Sequence, residues 1–316
     1  MQCFARCGII EGMHGDPAYL SLSPDELEGR ARAAEALMEA CTLCPRNCGV
    51  NRKKNEPGFC GIADAALVAS WGPHFGEERP LVGRFGSGTI FLSGCNLGCV
   101  FCQNWTISHG KEGSVLTDAQ FAKTMLDIQA MGCRNINLVT PTHQTPAILR
   151  ALILAIRGGL RIPIVHNCGG YESLDTLRLL EGIVDIYMPD IKFMDPANAE
   201  RYSSAPDYPQ TGKASLREMH RQVGDLIIDD RGIAVRGLLV RHLVMPDDIA
   251  GTGEAMQFLA GEISIDTYVN IMDQYHPCHR AHTFPELNRR ITPAEFKNAV
   301  RLAVQAGLRR IDGETI

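Results

Sequence analysis

The sequence predicts an α/β fold: a partial, open (β/α)6 barrel over residues 85–316, preceded by a helix and a cysteine-rich extension over residues 1–84. Three observations carry this. From residue 89 onward, short apolar runs of β type alternate with helical periodicity, giving six β-then-α units. The runs are too apolar to leave one face in water, which is the pattern of a parallel sheet covered by helices. Six units fall short of the eight that close a complete barrel, so the sheet stays open.

In the extension, Ser23-Pro24-Asp25-Glu26 reads as a capping box that starts an Ala-rich helix running to about residue 40. The cysteine-rich segment follows, then a Gly/Pro-punctuated stretch over 71–88 that reads as mostly loop and short strands. The first barrel strand is TIFLS, residues 89–93. Thr117-Asp118-Ala119-Gln120 caps a helix carrying Phe121, Met125, Ile128 and Met131 on one side. A strand over 135–139, a helix opening at Thr145-Pro146 and a strand over 162–166 come next. A short helix from about Ser173 leads to a strand over 183–188, and a helix near 214–223 precedes the longer strand 235–245. Helix 253–260 and strand 267–272 complete the sixth unit, and Thr292-Pro293-Ala294-Glu295 caps a final helix to about residue 306.

With 316 residues, 45% of them hydrophobic, the chain can bury a substantial core. A net charge of −5 argues against binding nucleic acid by phosphate neutralisation. The basic run Arg52-Lys53-Lys54 is short and reads as a solvated loop. MQCFARCGIIEGMHGD contains no uninterrupted apolar stretch of the secretory type, and no run is apolar enough to span a membrane, so a cytoplasmic protein is expected. Twelve cysteines in such a chain point to metal or redox chemistry rather than disulfides.

In parallel α/β folds chemistry gathers beyond the C-terminal strand ends, and here each end is polar or bears cysteine. Strand one runs into Cys95, Cys99 and Cys102; the others end in TPTHQTP, HNCGGYE, PDIK, RHLVMPDD and MDQYHP. Asp190 and Lys192 alternate around Ile191 and form an ordinary ion pair on the simplest reading; Arg241 and His242 would be a satisfied polar patch. Their shared placement beyond the cysteines argues for one active-site mouth instead. The three cysteines are spaced C-x3-C-x2-C. An iron–sulfur cube takes one thiolate per iron, so three leave a fourth iron open to an exchangeable ligand. The alternative is a structural zinc site whose fourth ligand lies elsewhere in the chain.

SGCNLGCVFCQNW resembles the signature of the radical S-adenosylmethionine (SAM) superfamily, C-x3-C-x2-C after the first strand of a partial TIM-like barrel. Within it the chain resembles the pyruvate formate-lyase activating enzyme group. MPDIK is similar to that group's D-x-K, VRHLVMP to its R-x-x-V-x-P, and QYHP to its Tyr-His. The resemblance implies a [4Fe–4S] cluster on Cys95, Cys99 and Cys102, and catalytic roles for Asp190, Lys192, Arg241 and His276 around SAM or the substrate backbone. Phe101 would lie against the adenine, with Thr140, Thr142 and Asn167 joining Asp190, Lys192 and Arg241 in binding SAM. It implies reductive cleavage of SAM to methionine and a 5′-deoxyadenosyl radical that abstracts hydrogen, an electron donor of flavodoxin or ferredoxin type, and a glycyl-radical enzyme as partner. A small molecule or a peptide is the alternative substrate. One departure stands out: where the group carries a Gly-Gly-Glu ending on strand two, this chain has Thr140-Pro141-Thr142-His143-Gln144.

A second set, Cys41, Cys44, Cys48 and Cys60, has the spacing C-x2-C-x3-C-x11-C and fits structural zinc or an auxiliary iron–sulfur cluster. Cys3 and Cys7 receive no role, Cys133 reads as a small buried hydrophobe, and Cys278 lies near the mouth. A non-catalytic iron–sulfur electron-transfer protein is the alternative of another class, but an electron carrier has no use for an open iron.

Overall fold

A computed structural model of the chain describes residues 16–312; Cys3 and Cys7 lie outside the described residues. Ten strands form among the described residues: β1 (Ala66–His74), β2 (Ser87–Leu92), β3 (Ser114–Leu116), β4 (Ile136–Val139), β5 (Ile164–Cys168), β6 (Ile186–Pro189), β7 (Ile227–Ile228), β8 (Ala234–Leu243), β9 (Tyr268–Met272) and β10 (Arg310–Asp312). Their order is β10-β9-β8-β6-β5-β4-β2-β1-β3, with β7 paired to β8. The block from β2 through β4, β5, β6 and β8 to β9 is parallel throughout and matches the six expected strands.

Two features extend beyond the expectation. A seventh parallel strand, β10, pairs with β9 after the last helix. On the opposite side, β1 runs antiparallel to β2 and β3. The nine-residue β1 was hard to read because its outer half is only partly covered: Trp71 is 40% exposed, and Gly72 and Pro73 imitate a turn.

All three expected capping boxes form, at Ser23, Thr117 and Thr292. Helix Asp118–Ala130 buries Phe121, Met125 and Ile128, but Met131 falls at its C-cap and is exposed. The helix expected from about residue 214 starts at Tyr208, with Pro209 in its first turn. Helix Pro24–Ala36 lays Leu27, Ala31 and Ala34 into the same core cluster as Ile148, Leu152 and Ala155 of the barrel. Tyr19 joins them and donates its hydroxyl hydrogen to the Ile162 carbonyl at 2.9 Å. Among the described residues, no helix is long and apolar enough to cross a membrane.

Candidate active site

The C-terminal ends of β2, β4, β5, β6 and β8 converge on one cavity of about 180 Å³. From β2 come Cys95, Cys99 and Cys102, on a loop that turns at Gly94, whose φ of +79° favours glycine. Thr140 enters from β4, Asn167 and Cys168 from β5, Asp190 and Lys192 from β6, and Arg241 from β8. A second glycine makes the convergence tight: a Cβ on Gly170 would lie 2.2 Å from the Asp190 carbonyl oxygen.

All three loop cysteines are free thiols. Cys95 Sγ accepts the Leu97 N–H at 3.3 Å, while Cys99 and Cys102 sit 3.2 Å from the Ser203 and Ser108 hydroxyls. Burial raises the Cys95 pKa and the charge of Cys99 adds to it; burial likewise raises Cys99, against the pull of Lys192. Cys99 is buried and Cys95 and Cys102 are half-buried; a shared cationic centre would favour the thiolate forms of Cys95 and Cys99, and soft sulfur donors suit iron. The residues present therefore fit the cluster.

Asp190 and Lys192 do form an ion pair, at 2.6 Å, inside the cavity wall. Burial alone would lower the Lys192 pKa; the charges of Asp190 and Cys99 outweigh it and raise it, so the ammonium stays charged. Arg241 donates to both carboxylate oxygens of Glu78, at 2.6 and 2.7 Å, and to Glu77. Asn270 donates to Glu78 as well, at 2.7 Å. Burial would push Glu78 up, but Arg241 holds it below the usual carboxylate value. Nothing in the sequence signalled the two glutamates, which sit in the loop before helix Arg79–Val82, about 160 residues from their partner. His242, next to Arg241, is the satisfied histidine of the plainer reading, bonded to Ile191 O and Thr252 Oγ1 at 2.9 Å each.

Three expected residues sit outside the cavity lining. Phe101 packs edge-on to Phe193 and tilted against Tyr275, in a buried aromatic cluster. His276 lies at the surface with Nδ1 3.4 Å from Gln103 Nε2 and 3.1 Å from Gln274 O. Thr142 is fully buried and donates its hydroxyl to Glu172 at 2.6 Å. The short 3-10 turn over Thr142–Gln144 aims these side chains into the protein: Gln144 bonds to Leu67 of β1, and His143 Nε2 lies 2.8 Å from Ser93 O.

Burial pushes the His143 imidazole down to about 4, with the Ser93 hydrogen bond opposing and Arg52 reinforcing. Between pH 6.5 and about 4 the unfolded chain binds a proton here and the folded chain does not. Stability should therefore fall as pH drops through that window. Urea unfolding of His143→Gln should show a shallower slope across it; an unchanged slope would remove His143 as the cause.

Beneath the cavity, His166, Cys168 and Glu172 bring their ligand atoms within 4.8 Å of one another, close enough to share one metal ion. All three are buried, and His166 Nε2 and Glu172 Oε2, 3.5 Å apart, have no hydrogen-bond partner among the described residues. Burial and the charge of Glu172 keep Cys168 a protonated thiol.

A three-thiol loop at the mouth of an open parallel barrel, faced by charged strand ends, has the donor set of an enzyme that would present an incompletely ligated iron–sulfur cluster to a small ligand. A family model for the radical SAM superfamily matches residues 89–220, and the chain belongs to that superfamily. Membership implies a [4Fe–4S] cluster and SAM. The chain is 32% identical over 300 residues to the uncharacterised protein MJ0674 of Methanocaldococcus jannaschii, covering 91% of this chain and 81% of that one. It is 24% identical over 292 residues to MJ0808 of the same organism, covering 86% and 79%. Among solved structures, a radical SAM methyltransferase from Sphaerobacter thermophilus aligns at a TM-score of 0.50 with 16% identity over 71% of this chain. The chain spans 64% of that structure's length, and the likeness is one of fold.

Proposed function

We propose that this radical SAM enzyme takes a hydrogen atom from a glycine Cα–H of a partner glycyl-radical enzyme. The supporting observation is the single cavity in which the three-cysteine loop faces Asp190 and Lys192 of the D-x-K strand end and Arg241 of the R-x-x-V-x-P strand. When bound, the cluster and SAM together supply one-electron cleavage of the C5′–S bond, giving methionine and a 5′-deoxyadenosyl radical. Cys95, Cys99 and Cys102 would hold three irons of the cluster. The Lys192 ammonium, kept charged by Asp190, would meet a carboxylate or backbone carbonyl of the bound molecules. Thr140 and Asn167 offer side-chain oxygens to the SAM ammonium in place of a Gly-Gly-Glu ending. Leu92 and Leu97, both nearly inaccessible, wall the cavity against water.

The experiment is anaerobic turnover with a glycyl-radical enzyme deuterated at glycine Cα and an electron donor of flavodoxin or ferredoxin type. Deuterium in 5′-deoxyadenosine is the expected result. SAM cleavage that continues without deuterium from any glycyl-radical enzyme offered would remove the glycyl partner and leave a small-molecule or peptide substrate.

A further inference from the structure

The segment carrying Cys41, Cys44, Cys48 and Cys60 is seated directly on the first half of the loop of Cys95, Cys99 and Cys102. At its start, a Cβ on Gly94 would lie 2.7 Å from the Cys60 carbonyl oxygen. Just past Cys95, Arg46, between Cys44 and Cys48, donates to the Asn96 carbonyl at 2.8 Å, and it also donates to the Ser203 carbonyl at 2.9 Å. Ser203 is the residue whose hydroxyl touches Cys99 Sγ. Further along, the Phe59 ring, under the Arg46 guanidinium at 3.8 Å, covers Gly98.

The segment has the internal order of a ligand loop. Cys41 donates to the Val50 carbonyl at 2.9 Å and accepts from the Gly49 N–H at 3.1 Å; Cys48 Sγ accepts the Phe59 N–H at 3.3 Å. Arg52 corrects the reading of Arg52-Lys53-Lys54 as a solvated run: it is 2% exposed, donates twice to the Ala63 carbonyl and approaches Cys41 Sγ at 4.0 Å. A buried guanidinium beside Cys41 is a counter-charge for a site whose thiolates exceed the charge of its metal core.

Spacing separates the two candidate fillings. Among the described residues, the one group of candidate ligand atoms all within 4.8 Å of one another is His166, Cys168 and Glu172, so no three of these four thiols are that close. Sulfurs sharing one zinc at about 2.3 Å stand only about 3.8 Å apart. Sulfurs on separate irons of a cube stand wider, and the Cys95, Cys99 and Cys102 set shares that wider spacing.

We infer that Cys41, Cys44, Cys48 and Cys60 hold a second [4Fe–4S] cluster that relays electrons from a low-potential protein donor to the cluster at Cys95, Cys99 and Cys102. Its four thiolates close every iron, so it binds no substrate and has only electron transfer to perform. Cys41, Cys44 and Cys60 are buried, and half-buried Cys48, between exposed Asn47 and Gly49, is where this set meets solvent and a donor, while Cys60 and Arg46 abut the other loop. In each cycle the donor is oxidised by one electron, the second cluster takes it and passes it inward, and the first cluster is reduced by one; no bond in the relay is made or broken. The receiving end rests on the radical SAM reading, but the metal content of the second site does not.

The test uses the full chain carrying Cys95→Ala, Cys99→Ala and Cys102→Ala together, reconstituted anaerobically with iron and sulfide. About four irons per chain should remain, and photoreduced flavodoxin should reduce them to a paramagnetic state visible by electron paramagnetic resonance. Zinc in place of iron, or no metal, overturns the inference; iron that flavodoxin cannot reduce overturns the relay. In the complementary Cys41→Ser/Cys44→Ser chain, reduction of the remaining cluster by flavodoxin should slow at least tenfold while reduction by dithionite is unchanged. An unslowed flavodoxin rate would also overturn the relay.

Discussion

Cys99→Ala should lose the cluster of its loop and reduce 5′-deoxyadenosine formation with dithionite to background. On the radical SAM reading three thiolates of one short loop would serve that cube, so losing one would leave two irons without protein ligands. The fold should survive. Cys99 is buried, but its polar contact is the single Ser203 hydroxyl at 3.2 Å, and losing one hydrogen bond costs about 1 kcal/mol. Iron analysis should read about four fewer irons per chain, with an unfolding midpoint close to that of the parent. Cys168→Ala is the control: it lines the same cavity from β5, off the loop, and should keep its iron. Turnover retained by Cys99→Ala would end the radical SAM assignment for this site.

Arg241→Met should cost about 3–5 kcal/mol of stability, because it leaves the buried Glu78 carboxylate with only the neutral Asn270 amide, while Glu77 keeps His74 at 3.2 Å. Glu78 is 1% and Glu77 5% exposed at the side chain, and Arg241 is the cation paired with Glu78. The direction of the pH effect should also invert. In the parent, Glu78 titrates below the usual 4.5, so its contribution is present at neutral pH and is lost as pH falls through that depressed value. Without the guanidinium, burial dominates and raises the Glu78 pKa above 4.5, so stability is instead lost as pH rises through the raised value. Urea unfolding from acid to neutral pH reads both effects. A loss under about 1 kcal/mol, with the parental pH slope, would show that the clamp contributes no more than a surface pair.

The barrel was legible because its strands are buried on both faces and therefore written almost without polar residues. β2, β4, β5, β6, β8 and β9 all fell within a few residues of their expected places. The three-cysteine loop was legible because its ligands are close in sequence, and Thr140, Asn167, Asp190, Lys192 and Arg241 follow because strand ends on one side of a parallel sheet must meet. What escaped depended on partners far away in the chain. The burial of Arg52 depends on the Ala63 carbonyl, and neighbouring Lys53 and Lys54 are exposed as a basic run should be. Thr142 turned inward because Glu172 was there to receive it, and Phe101 because Phe193 and Tyr275 make an aromatic pocket for it. Periodicity reports which way a residue faces within its own element; it carries nothing about which residue waits on another.

The bond from Arg46 to Ser203 spans 157 residues, and it sets an order of events during synthesis. The four-cysteine segment leaves the ribosome early and its backbone–backbone bonds are local, yet Arg46 and the Leu43 carbonyl, which accepts the Thr176 hydroxyl at 2.8 Å, meet their partners only when the barrel is mostly made. The loop of Cys95, Cys99 and Cys102 emerges next, but the Ser203 and Tyr202 carbonyls that brace it, the latter accepting the Val100 N–H at 2.9 Å, come a hundred residues later. Closing that long loop carries its entropic cost before any contact repays it. Both cysteine loops therefore stay unbraced until residues 176–203 have emerged, so metal reaching the nascent chain before then would meet two open loops.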